Sequence, residues 1–154
     1  MPQITRIVVP IDFSEYSKKA FRYAIDFARS FHAEMVLVYV VEPIVYPADF
    51  SFGQVALPSM ERELLQRGEE QLKNLIDKEV PDGIAARSIV RSGKPFVEII
   101  QVAKEENAEL IIIATHGHSG IEHVLFGSTA EKVVRKAPCP VLSIRSPERD
   151  FVMP

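Results

Sequence analysis

A single cysteine stands in the 154 residues, Cys139, set between Pro138 and Pro140. The chain therefore closes no internal disulfide and offers no thiolate cluster to a metal, and Cys139 reads as a small buried apolar side chain. Long apolar runs are also missing: the longest, residues 35–41, lies between Glu34 and Glu42, far short of the roughly 20 residues that span a bilayer. No membrane is expected among its partners. The opening Met1-Pro2-Gln3-Ile4-Thr5-Arg6 has no charged-then-apolar signal pattern, so a cytoplasmic location is expected. Positive charge is not in excess: 18 Lys and Arg face 21 Asp and Glu, a net charge of −3. The large positive field with which a nonspecific nucleic-acid binder releases counterions is absent, and nucleic acid is not expected as a partner. Repeats and low-complexity tracts are missing as well.

What remains is the pattern of one globular domain, with 47% hydrophobic residues to build its core. Short Val/Ile/Leu-rich runs recur at residues 6–11, 35–41, 87–91, 110–114 and 140–144. Each is too short for an ordinary helix and mostly apolar on both faces, which describes a strand covered on both sides. Between them lie segments with helical spacing: Ala20, Ala24, Phe27, Ala28 and Phe31; Leu65, Gly68, Leu72, Leu75 and Ile76; Phe96, Ile99, Ile100 and Ala103; and Ala130, Val133, Val134 and Ala137. Pro95 suits a first helical turn after Ser92-Gly93, and Ala137-Pro138-Cys139-Pro140 ends the last helix. Alternating strands and helices give an α/β domain, a parallel sheet with helices on both faces, because each parallel connection must cross over. The pattern leaves the strand order open. The connection 42–58 holds Pro43, Pro47 and Pro58 with Tyr46, Phe50 and Phe52; it is longer than a minimal turn and reads either as a lid or as a structural loop anchored by its aromatics.

The chemistry concentrates after the fourth apolar run, in Ala114-Thr115-His116-Gly117-His118-Ser119-Gly120-Ile121-Glu122-His123-Val124-Leu125-Phe126-Gly127-Ser128-Thr129. Gly117 and Gly120 permit close approach of another group to the backbone. Ser119-Gly120-Ile121-Glu122 and Ser128-Thr129-Ala130-Glu131 each match the S-x-x-E capping box, two candidate helix starts. A helix N-terminus carries unpaired N–H groups and the positive end of the dipole; Gly127 lets a phosphate reach them, and Ser128 and Thr129 add hydroxyl donors. The alternative is a tight turn at Gly127 followed by a plain Ser128 cap. The chain has no G-x-x-x-x-G-K-[ST] and no G-x-G-x-x-G, so no P-loop lysine stands ready for phosphoryl transfer.

A second constellation, Val9-Pro10-Ile11-Asp12-Phe13-Ser14-Glu15, joins the first strand to the first helix. Asp12 is suited to accept hydrogen bonds from a ribose or a base amino group, or to cap the helix with Glu15 in a variant box. Both constellations follow strands at their carboxyl ends, where open parallel sheets place ligands. His116, His118 and His123 lack the carboxylate or cysteine spacing that completes a metal set, and they read as polar loop residues that add positive charge near phosphates when protonated.

With these residues in view, the chain resembles the universal stress protein family, in its nucleotide-binding branch, over nearly its whole length. The family signature G-2x-G-9x-G-[ST] is matched by Gly117, the nine residues 118–126 and Gly127-Ser128, with Ala114 in place of the first glycine. Val9-Pro10-Ile11-Asp12-Phe13-Ser14, Gly93-Lys94-Pro95 and the closing Ala130-Glu131-Lys132-Val133-Val134-Arg135-Lys136-Ala137-Pro138-Cys139-Pro140-Val141-Leu142 are also family-like. The resemblance implies an adenine nucleotide alpha hydrolase-like fold: a five-stranded parallel sheet in the order 3-2-1-4-5, over a domain of residues 1–146 with a tail of 147–154. It places a base near Pro10, Ile11, Asp12 and the backbone of Val40, a ribose near Ala114 and Gly117, and phosphates at Gly127, Ser128 and Thr129. It implies ATP or AMP as ligand, with or without Mg2+, and a homodimer through the last strand, Val141-Leu142-Ser143-Ile144-Arg145, which would otherwise leave an apolar edge with unpaired backbone groups.

Three functions fit. The first is a stress-response regulatory module that binds an adenine nucleotide without significant turnover and passes its state to an unidentified protein partner. The second is a slow ATPase, for which Asp12 and the histidines are the only obvious groups and no catalytic residue is assigned. The third is a nucleotide-free dimeric interaction protein in which Gly127 and Ser128 are structural.

Overall fold

The strand Arg6–Pro10 (β1) is the axis of the fold: its residues 7–10 are buried, because helices cover both of its faces and a strand flanks each of its edges. In the computed structural model, which describes residues 2–43, 53–117 and 126–145, the elements alternate throughout. After β1 come α1 (Glu15–Phe31), β2 (Glu34–Val41), α2 (Gly53–Glu79), β3 (Ala86–Ser92), α3 (Pro95–Glu105), β4 (Leu110–Ala114), α4 (Ser128–Lys136) and β5 (Val141–Ile144). The five strands form one parallel sheet in the order β3-β2-β1-β4-β5. The expected fold and strand order are thus both observed. No helix among the described residues is long and apolar enough to cross a membrane.

Side chains alternate across the sheet and fill two apolar layers. Ile7, Val9, Met35, Leu37, Leu110 and Ile112 meet Phe21 and Ala24 of α1 and Leu72 and Leu75 of α2 on one face. Val8, Val36, Val38, Ile111 and Ile113 meet Ile99 and Val102 of α3 and Ala130 and Val133 of α4 on the other. Each fully buried side chain of this size contributes about 1.5–3 kcal/mol relative to exposure, so the two layers hold the fold together. The helical spacing overreaches at two positions: Phe31 is 44% and Val134 45% exposed, the first because α1 ends there, the second because only Ala130 and Val133 of α4 are buried.

Helix α2 departs from expectation at its start. It begins at Gly53, so the last part of the connection read as irregular is helical and Pro58 lies inside the helix. Charged and leucine-rich residues beyond Met60 favour helix strongly, and a nucleated helix extends at little cost per residue. Residues 44–52, where Tyr46, Pro47, Phe50 and Phe52 lie, are outside the described residues, as is the first capping box at Ser119-Gly120-Ile121-Glu122. Near the middle of α2, Gly68 makes room for Tyr39 of β2: a Cβ there would sit 2.5 Å from Tyr39 Cδ1.

The amino ends of the strands are joined by charge. Glu34 accepts from Arg6 Nε at 3.0 Å and from Arg87 Nε at 2.9 Å, and Arg87 also pairs with Glu106. Glu109 accepts the backbone N–H groups of Thr5 at 3.0 Å and Arg6 at 2.8 Å. These partly exposed pairs act as a network rather than as isolated surface bridges. They lie at the edge opposite the carboxyl ends of the strands.

Candidate functional site

At that carboxyl edge the chain leaves β1 toward α1, on one face, and leaves β4 toward α4, on the other. Because β1 and β4 are neighbours, the departing loops part to opposite sides and open a crevice between them, the topological switch point of an open parallel sheet. A cleft of about 640 Å³ occupies this place, within the usual size of small-molecule sites.

The structure brings every residue singled out as a binding candidate into this one cleft. Pro10, Ile11 and Asp12 line it from the end of β1, Val40 from β2, Ala114 and Gly117 from the end of β4, and Gly127, Ser128 and Thr129 from the start of α4. Ile11 still donates its N–H to Val38 O at 2.8 Å, which holds the exit from β1 against β2.

Asp12 is not the cap of α1. Ser14 takes that position, accepting from Ser17 N–H, while Asp12 Oδ1 accepts the Ser14 N–H at 2.9 Å and the Ser14 hydroxyl at 2.5 Å. The physical reason is reach: Asp12 precedes the first helical turn by too much to meet its N–H groups, so its carboxylate fixes the capping serine instead. Its other oxygen lies where a side chain on Gly117 would fall, 2.5 Å from that Cβ position. Glycine at 117 therefore keeps the carboxylate and the β4 loop in close approach.

Ser128 is not the cap of α4 either. Gly127 is the N-cap residue, with φ −65° and ψ 153°, and, as glycine, brings no side chain to cap the helix; Ser128 is already the first helical residue, one place too far along for its hydroxyl to bond the N2 or N3 N–H as a cap does. The first intrahelical bond runs from Glu131 N–H to Gly127 O at 3.0 Å. The N–H groups of Ser128, Thr129 and Ala130 thus stand at the helix mouth without an intrahelical partner, at the positive end of the dipole. Gly127 is tied down by donating to Thr115 O at 2.6 Å, and a Cβ at 127 would come within 3.1 Å of that oxygen. The last turn of α4 carries Arg135 and Lys136 and its first turn Glu131, each matched to the dipole.

Ala114, which stands where the family signature has glycine, packs within the apolar layer beneath α1. Thr115, unmarked in the sequence, is 1% exposed and central: its N–H donates to Ile144 O at 3.0 Å, its carbonyl accepts from Gly127, and its hydroxyl meets His116 Nδ1 at 2.9 Å. Phe13, Ser17, Tyr39 and Pro95 also bound the cleft; Pro95 carried a sequence signal as a helix-starting proline, and Phe13 stood within the family-like stretch 9–14 without a role of its own. Among the described residues lining the cleft there is no lysine or arginine, and the carboxylates are Asp12 and Glu42. No described group of three or more His, Cys, Asp or Glu forms a metal cage; His118 and His123 lie outside the described residues. Backbone N–H groups, hydroxyls and one fixed carboxylate are what the site offers a ligand. The start of α4 suits an anionic group, as helix N-termini do.

Cys139 is half-buried, and burial pushes its thiol pKa upward, with Glu109 adding to the shift. It is unsuited to act as a thiolate near neutral pH.

Comparison with known proteins gives the same architecture. The profile of the Universal stress protein family matches residues 3–145. Universal stress protein MJ0531 of Methanocaldococcus jannaschii is 36% identical over 149 residues, covering 94% of this chain and 84% of its own length. Among solved structures, MJ0577 of the same organism superposes with a TM-score of 0.83 at 24% identity, over 96% of this chain and all of its own. Two further structures share the fold at 21% identity: a universal stress protein in complex with cAMP, with a TM-score of 0.58 over 94% of this chain and 98% of its own, and one from Archaeoglobus fulgidus in complex with dAMP, with a TM-score of 0.55 over 92% and 98%. With the family profile spanning nearly the whole sequence and a relative above a third identical, this chain belongs to the universal stress protein family.

Proposed function

We propose that the cleft binds an adenine nucleotide, ATP or AMP, and that the chain serves as a cytoplasmic regulatory module of a stress response. The observation that carries the reading is the uncapped N-terminus of α4 at Gly127, opening into the same cleft as the Asp12 carboxylate. Phosphates are suited to the N–H groups of Ser128, Thr129 and Ala130 and to the hydroxyls of Ser128 and Thr129. The sugar is suited to the part of the cleft lined by Ala114 and Gly117, beside the Asp12 carboxylate, and the base to the apolar wall of Pro10, Ile11 and Val40. Complexes of structurally similar proteins with cAMP and dAMP support this choice of ligand class.

Turnover is not part of the proposal. Phosphoryl transfer draws on cations clamped around the leaving group, and the described cleft wall brings no lysine or arginine. Magnesium usually binds through one or two carboxylates together with phosphate oxygens, a role open to Asp12. A homodimer through β5 and an unidentified protein partner that reads the nucleotide state complete the proposal.

The test is a calorimetric titration of nucleotide-stripped protein with ATP and magnesium, and separately with AMP. Saturation near one site per chain is the expected result. Absence of heat, together with an unchanged melting temperature at millimolar nucleotide, would replace this reading with a ligand-free interaction protein.

A further inference from the structure

Among the described residues, three other than glycine have a left-handed backbone: Phe13, His32 and Asn107, with φ of 64°, 55° and 50°. His32 is the C-cap of α1, and Asn107 follows the C-cap of α3. Helices commonly end this way, and histidine and asparagine tolerate the conformation. Phe13 has neither excuse. It is a bulky residue in a strand-to-helix turn, where a positive φ is an outlier that must be held by its surroundings.

The surroundings that hold it can be named. The Phe13 ring meets the Tyr39 ring edge-on, with centroids 5.0 Å apart and planes at 61°. Tyr39 is itself wedged against α2 at Gly68, where not even a methyl group fits. On the other side of Phe13, the turn delivers Asp12 into a closed set of bonds: Asp12 N–H donates to Ser17 Oγ at 3.3 Å, Ser17 N–H to Ser14 Oγ at 3.2 Å, and the Ser14 hydroxyl to Asp12 Oδ1. The left-handed step between Asp12 and Ser14 lets these bonds form while the second carboxylate oxygen lies close against Gly117 at the wall of the cleft.

We infer that Phe13 is a positioning residue for the nucleotide site: its strained left-handed turn, clamped by Tyr39 against Gly68 of α2, aims the Asp12 carboxylate at the ligand. This assignment rests on the nucleotide reading above. It makes the base and ribose end of the cleft answerable to where α2 packs, through two rings.

A positioning role and a packing role rank substitutions in opposite order. If Phe13 only fills space, Phe13→Gly, which discards the whole side chain, harms binding more than Phe13→Val. If its backbone conformation is what matters, glycine adopts the left-handed turn freely, whereas valine, β-branched, resists it. The experiment measures AMP and ATP affinity and the unfolding midpoint for the parent chain, Phe13→Gly, Phe13→Val and Tyr39→Ala. The expected result is that Phe13→Gly binds at least about tenfold more tightly than Phe13→Val. Tyr39→Ala, which removes the clamp and does not depend on the valine variant folding, is expected to lose affinity, and Phe13→Gly in the same chain to restore it. Equal affinities in the glycine and valine variants, or no rescue in the double variant, would overturn the assignment while leaving nucleotide binding in place. A parent chain that binds neither nucleotide would overturn both.

Discussion

Gly117 and the Asp12 carboxylate share one small space, and that competition decides what a side chain at 117 would do. A Cβ would lie 2.5 Å from Asp12 Oδ2, and because a carboxylate swings more easily than backbone moves, Gly117→Val is expected to displace Asp12 rather than unfold the domain. Adenine nucleotide affinity should fall at least about tenfold, or ~1.4 kcal/mol, with the unfolding midpoint nearly unchanged; calorimetry and thermal melts read the two separately. Unchanged affinity would remove Asp12 from the ligand's neighbours. Ala114 gives the opposite expectation. Its methyl belongs to the apolar layer under α1, so Ala114→Gly should leave affinity alone and cost about 0.5–1 kcal/mol of stability in urea unfolding. A tightened affinity instead would mean that the methyl intrudes on the ligand.

Among the elements, α2 shows how local preference and packing can oppose each other. In an exposed helix, Gly68→Ala would gain about 1 kcal/mol from propensity. Here the new methyl meets the Tyr39 ring at 2.5 Å, and overpacking of this kind costs about 1–3 kcal/mol. Net destabilisation of about 1 kcal/mol in chemical denaturation is expected, and a stabilised variant would mean that Tyr39 is free to move. The same elements mark what the sequence makes legible. Strands buried on both faces announce themselves as apolar runs, and the residues at their exits mark the site edge through Asp12, Gly117, Gly127, Ser128 and Thr129; Pro10, Ile11, Val40 and Ala114 come from the family resemblance, and all nine line one cleft. The start of α2 was hidden because prolines before Met60 read as loop, and the caps at Ser14 and Gly127 were misassigned because a capping box fits several neighbouring registers equally well. The roles of Thr115, Phe13 and Tyr39 were not legible: they come from contacts between distant segments and from one backbone angle, neither of which leaves a local pattern.

At the scale of the whole molecule, the two ends of the sheet divide the labour, with charge at the amino edge and the open cleft at the carboxyl edge. A hydrogen bond from Arg87 holds the Glu106 carboxyl below its usual 4.5. Burial pushes Glu109 upward, but the backbone N–H groups of Arg6 and Thr5 more than offset it, and its pKa too is lowered. A carboxyl that is more acidic when folded leaves the unfolded chain with more bound protons in acid, so its contribution is complete above about pH 4.5 and is lost as pH falls through the lower folded values. Stability should therefore be level through neutral pH and decline below about 4.5, and Glu106→Gln should flatten part of that decline while costing about 0.5–1 kcal/mol at pH 7. An unaltered acid limb in the variant would show that the pair contributes nothing. The remaining edge of the sheet is β5, paired only with β4 among the described strands. Pro140 O and Ile144 O accept from Ile111 of β4 and from Thr115 just beyond it, so by the alternation of a strand the N–H of Ser143 points away from β4, toward whatever pairs with that edge. Ser143→Pro would delete this donor without removing a bond to β4. If two copies join through β5, sedimentation should find the parent chain as a dimer and the variant as a folded monomer. Because Thr115 binds Ile144 on one side and Gly127 on the other, that monomer should also bind nucleotide less tightly, tying the edge where copies meet to the turn where phosphates are proposed to rest. A variant that stays dimeric would move the interface to another face, and a monomer of unchanged affinity would separate the two sites.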